Sequence, residues 1–210
     1  LNHYGFDNNE HLEFLENNDF KVYHGIYSNA SNSLASTSRI LEIDGNLSLL
    51  DRYYTSGNAF ALNIFKANGY KTIGLFTSPY FFGSSKISWD EYYPKESATK
   101  MGGMNITKSI FDGNFEFDIF EDDYEYKDYL KLKKKFLTSN KKQNLFYTHN
   151  RYPGHSGNSG KCAPDEKQKY FQGMKRANIE MKNDVSNVIN NDPNSIIVLL
   201  SDHGPYLTKN

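Results

Sequence analysis

The chain has a single cysteine, Cys162, in 210 residues, so no internal disulfide can form and the fold must rest on its own core. A chain of this length can bury a sizeable core without covalent staples. Charge of one sign is also lacking: 24 Lys plus Arg stand against 25 Asp plus Glu, which leaves no global field for a polyanion, and no nucleic-acid partner is expected. Long hydrophobic runs are missing as well. The densest, Ile196 to Leu200, falls far short of the roughly 20 apolar residues a spanning helix needs, and no signal-peptide core opens the sequence. The sequence opens on Leu1 and stops at Asn210 soon after an apolar run, and both ends read as cut. With no repeat and no Pro/Gly/Ser-rich linker, one domain over 1–210 is expected.

Aromatics are plentiful at 15%, made of 16 Tyr, 15 Phe and one Trp, beside a mean hydropathy of -0.71. A carbohydrate-binding surface and a biased coding composition both account for this. Periodicity predicts a short helix over Glu10 to Glu16, a strand over Phe20 to Ile26, a helix over Gly57 to Asn68 closed by Gly69, and a strand over Lys71 to Phe76. Residues 77–128 read as an irregular excursion with short strands. Tyr129 to Leu137 reads as an amphipathic helix whose four lysines between Lys131 and Lys135 form a solvated face. Leu145 to Thr148 follows as a buried strand, Pro164 to Val188 as a long helix, and Ser195 to Leu200 as the strongest strand signal in the chain. This alternation predicts an α/β domain with a mostly parallel sheet covered by helices on both faces, its ligands beyond the carboxyl ends of the strands.

Three segments carry chemistry. Ser201-Asp202-His203-Gly204 follows the last predicted strand, and an adjacent carboxylate and imidazole suit one divalent ion, zinc or manganese. His149 to Gly160 follows the preceding strand and holds two His, an Arg, two Asn and three Gly, a polar loop with donors for an anionic oxygen. The stretch NASNSLASTSR, ending at Arg39, predicts a helix starting near Ser33 with Asn32 or Ser31 as its cap. A hydroxyl in that first turn can attack a phosphate or sulfate ester whose oxygens are held by backbone N–H groups. Each segment also has a plain structural reading as a turn, a solvated loop or a cap. Cys162, in a polar loop before a Pro-initiated helix, is read as incidental.

Together YGFDNNEHLEFL, SLASTSRIL, YPGHSGNSGKCAPDE and SDHGPYLT resemble the sulfatase and phosphoethanolamine/phosphoglycerol transferase branch of the alkaline-phosphatase superfamily. More narrowly they look like sulfatase-like proteins associated with bacterial surface polysaccharide. The resemblance leaves residues 77–128 unmatched. It implies Asp202 and His203 as metal ligands and Ser33 as the metal-facing nucleophile, with Thr37 as fallback if the register shifts by one turn. An alternative register puts Ala35 at the nucleophile position and leaves a dead site. His149 and His155 would contact the anionic head or protonate a leaving oxygen, with Arg39 and Asn158 binding substrate. The family's first metal carboxylate lies upstream of the YGFDN-like segment, and nothing precedes Leu1 here.

The resemblance therefore implies a metal-dependent enzyme acting on a phosphate or sulfate ester of a bacterial cell-surface glycan or lipid. It would work in the cell envelope on the periplasmic or extracellular face, with membrane anchoring through segments outside this chain. The alternative is a non-catalytic glycan-binding or scaffold domain that keeps the fold.

Overall fold

The computed structural model describes residues 5–44, 51–83, 86–95, 126–139, 143–154 and 164–204. The chain divides into two compact units, Asn29–Asn150 and a second made of Leu1–Ser28 with Arg151–Asn210.

The unit Asn29–Asn150 is an α/β layer structure. Its strands β1 (Lys71–Phe76), β2 (Glu91–Tyr93) and β3 (Asn144–His149) form a parallel sheet in the order β2-β1-β3. The central strand shows why both faces need cover, since it is buried along most of its length. Ile73 and Leu75 point to one side and pack with Tyr129, Phe136 and Phe146. Phe76 points to the other and joins Leu34, Leu41, Leu62, Phe81, Phe82 and Trp89. Helix α5 (Tyr126–Leu137) covers the first face. Helices α2 (Ser33–Glu42) and α4 (Phe60–Ala67) supply the second. The short helix α3 (Asp51–Tyr53) runs into a π-helical turn over Tyr54–Asn58. Much of the aromatic content of this unit serves the core: Phe76 alone has Phe81, Phe82, Trp89 and Tyr147 rings within 6.2 Å of its centroid.

Trp89 is the piece around which this core closes. Its indole Nε1 donates to Thr55 O at 2.8 Å. Gly74 leaves the space for its ring, and Gly57, at φ 100°, lets the chain pass against its backbone. That left-handed glycine also explains why α4 starts at Phe60 and not at the predicted Gly57: the helix cannot run through it. Next in sequence, Asp90 Oδ2 accepts from both the Thr72 N–H (2.7 Å) and its hydroxyl (2.8 Å). Burial alone would raise the Asp90 pKa, but these bonds hold it below the usual carboxylate range.

In the other unit, α1 (Asn9–Glu16) lies on α6 (Glu166–Asn191), joined by Asn178 Nδ2 donating to Asn8 Oδ1 at 2.7 Å and by the Lys182–Glu10 ion pair. Two strand expectations fail in this unit. Phe20 to Ile26 and Ser195 to Leu200 belong to no strand among the described residues. Ile196, Val198 and Leu200 are 93%, 72% and 53% exposed. Side-chain preference favours an extended chain, but a strand exists only where a neighbour's peptide groups complete its ladder.

His11 is buried on α1, stacked on Phe14, and its Nδ1 has no hydrogen-bond partner. Burial lowers its pKa below 6.5 and the Lys182 ammonium on α6 adds to this, against a smaller opposing pull from Glu10. The neutral ring therefore fits the folded state. Its contribution is complete above about pH 6.5 and is lost as pH falls through the depressed value. Urea midpoints followed by circular dichroism should drop between pH 7.5 and pH 5, and His11→Phe should flatten that drop. An equal drop in His11→Phe would assign it to other groups.

Candidate functional site

Ser33 is the first residue of α2 and is half-buried. Asn32 caps the helix, its Oδ1 accepting from Ala35 N–H at 2.9 Å, and the helical ladder begins with Ser36 N–H on Asn32 O. The predicted start and cap are thus both found. Ser33 stands beside the first-turn amides, where the helix end favours an anion. Thr37, one turn on, is fully buried, and the Tyr147 hydroxyl lies 3.5 Å from its Oγ1. Of the two candidate hydroxyls, Thr37 belongs to a fully buried residue and Ser33 to a half-buried one. Ala35 is buried too. Arg39 is buried, and its Nη1 donates to Asn29 O at 2.7 Å, so the guanidinium ties down the segment that leads into Ser33.

His149 ends β3, paired in register with Phe76 at the carboxyl end of the sheet, where the sequence placed it. Its ring packs against Phe81 at 4.5 Å and Phe76 at 6.4 Å between centroids. On the other face, Asn150 Oδ1 accepts from Tyr129 Oη at 2.8 Å and from Lys133 Nζ at 3.0 Å, while Tyr129 Oη also approaches His149 O at 3.2 Å. Lys133 is only 2% exposed, which corrects its assignment to a solvated helix face. Its spacing carried the signal: Tyr126, Tyr129, Lys133 and Phe136 recur at helical intervals on the stripe facing the core.

In the unit containing the C-terminal segment, Tyr152 and Pro153 open the loop after β3. The Tyr152 hydroxyl accepts from Arg176 Nη1 at 2.9 Å, and the guanidinium lies 4.1 Å from the Tyr152 ring centroid. Gly173 admits the Pro153 carbonyl, which a Cβ there would meet at 2.7 Å. These anchors were not foreseen. His155, Asn158 and Cys162 lie outside the described residues.

Asp202 and His203 sit in a bend, with the Ser28 hydroxyl donating to Asp202 O and Ser201 Oγ donating to His203 O at 2.8 Å. His203 Nδ1 lies 2.8 Å from Gly204 O. A carbonyl only accepts, so that contact puts the proton of a neutral ring on Nδ1 and the lone pair on Nε2. Nε2 is 3.6 Å from Asp202 Oδ2, near the roughly 3.3 Å between donors of one tetrahedral zinc ion. The pair fits two positions of a metal shell. Among the described residues no group of three or more His, Cys, Asp and Glu is placed to hold an ion.

No family model, curated protein or solved structure matches the chain. The functional reading rests on these side chains and on the motifs that contain them.

Proposed function

We propose that this chain belongs to an alkaline-phosphatase-like enzyme of the sulfatase and phosphoryl-transferase kind, acting on a phosphate or sulfate ester of a bacterial cell-surface glycan or lipid. The carrying observation is Ser33, a half-buried serine in the first turn of a capped helix, in a sequence that also bears SDHG and the histidine loop. Ser33 Oγ attacks phosphorus or sulfur, and its proton passes to water. The Oγ–P or Oγ–S bond forms as the ester P–O or S–O bond breaks, and His149 gives the leaving oxygen a proton. Water or an acceptor hydroxyl then releases the group. A zinc or manganese ion, when bound, supplies charge neutralisation for the transferred group. Asp202 and His203 are the residues of this chain that would hold it. Envelope location follows from the resemblance alone. No helix among the described residues is long and apolar enough to cross a membrane.

Calorimetric titration of the chain with Mn²⁺ or Zn²⁺ tests this reading, with aryl phosphate and aryl sulfate as substrates. One ion per chain is expected, bound about tenfold or more weakly by His203→Ala and Asp202→Ala. Binding of neither ion and turnover of neither ester would favour the glycan-binding or scaffold alternative.

A further inference from the structure

The cluster at the carboxyl end of β3 determines which way Asn150 faces. An ammonium group can only donate, so the amide atom 3.0 Å from Lys133 Nζ must be the carbonyl oxygen, and the Tyr129 hydroxyl meets the same atom. A flipped amide would set two donors against each other. Orientation is therefore fixed by two side chains that are themselves 2% and 1% exposed. The other branch, the Nδ2 amide, has no hydrogen-bond partner and is not a buried atom. Asn150 directly follows His149, whose carbonyl takes part in the same Tyr129 contact.

We infer that the Asn150 side-chain amide is a preset donor for a non-bridging oxygen of a tetrahedral oxyanion, phosphoryl or sulfuryl. Lys133 and Tyr129 act as its positioning residues. The inference takes only the identity of its ligand from the ester-transfer reading above. Lys133 does more than orient. A cation on the carbonyl oxygen draws electron density from the amide nitrogen and strengthens its N–H groups as donors. A buried lysine can in this way assist recognition of an anion it never touches. Burial on α5 keeps the ammonium from turning outward, and the donor stays in place without the ordering cost a flexible surface side chain would incur.

The test uses the full chain, isotopically labelled in nitrogen, with the Asn150 side-chain amide resonances assigned by their loss in Asn150→Ala. Inorganic phosphate and, separately, inorganic sulfate are titrated in, which distinguishes the two oxyanions. Saturable movement of the Asn150 amide is expected with at least one of them. Asn150→Asp keeps an acceptor for Lys133 but replaces the donor with a carboxylate, and it should weaken binding of that anion by about tenfold or more. Tyr129→Phe keeps the ring in the core and should weaken binding less, while broadening the Asn150 amide resonances as the side chain gains freedom. Lys133→Met should weaken binding further than Tyr129→Phe. If it fails to fold, the Asn150→Asp and Tyr129→Phe results decide. Amide resonances that ignore both anions, or an Asn150→Asp chain that binds as the unaltered one does, would overturn the inference. Neither outcome bears on turnover. A chain in which phosphate moves the Asn150 amide but which turns over neither aryl ester would instead defeat the ester-transfer reading alone.

Discussion

Gly57→Ala is expected to destabilise the Asn29–Asn150 unit by about 3 to 5 kcal/mol, a large share of the whole stability of an ordinary domain. Two costs add. At φ 100° an L side chain is strained wherever it stands, and the new Cβ would lie 2.5 Å from Trp89 N, 2.9 Å from Ser88 C and 2.9 Å from the indole Cδ1. Backbone cannot move aside as a side chain can. Gly74→Ala meets the same tryptophan differently, its Cβ falling 2.6 Å from Cδ2 and Cε2 of the indole. Overpacking there should cost about 1 to 3 kcal/mol. The contrast gives a sharp double-mutant test by urea denaturation. Trp89→Phe, with a smaller ring, should relieve Gly74→Ala and leave Gly57→Ala uncorrected. Equal relief of both would show that the indole Cδ1, and not the main chain, dominates the Gly57 contact.

Ser33→Ala is expected to lower turnover of an aryl phosphate or sulfate ester about a thousandfold or more while leaving stability nearly unchanged. Turnover and stability depend on different residues here. Asn32, not Ser33, provides the cap, and alanine is a good residue for a helix, so α2 keeps its start. What is removed is the oxygen proposed as the nucleophile. Thr37→Val supplies the control: it deletes the buried hydroxyl next to Tyr147, and turnover should survive. Loss of activity in Thr37→Val with retention in Ser33→Ala would reverse the assignment of the nucleophile. Comparable activity in all three chains would exclude both hydroxyls.

Where the sequence was legible, the signal was local. The start of α2 follows from an Asn cap and an apolar spacing within one turn, and β1 from its compact run of apolar and β-branched residues, so neighbours in sequence sufficed. The parallel pairing of β1 with β3 also matched expectation, because each strand is followed or preceded by a helix that must cross a face. Ser195 to Leu200 shows the limit. Its side chains favour extension as strongly as any in the chain, yet hydrogen-bond partners decide whether an extended segment becomes a strand, and side-chain preference holds no record of them. With no strand over Ser195 to Leu200, Asp202 and His203 do not stand at a strand's carboxyl edge. The pair now stands on its own donor geometry. Lys133 failed for the opposite reason. Four lysines in a row of five invited a reading by composition, while the helical stripe through Tyr129 and Phe136 already put one of them inside.

The clamp around Trp89 has a spectroscopic consequence. Trp89 is the sole tryptophan of the chain, and it is held in the Asn29–Asn150 unit with its indole nitrogen bonded to Thr55 O. Fluorescence excited at the red edge of the indole band therefore originates from one unit only, whereas far-ultraviolet dichroism sums the helices of both. Recorded on one sample, the two signals separate the melting of the sheet core from that of α1 and α6. Coincident curves would mean that the two units unfold as one cooperative body.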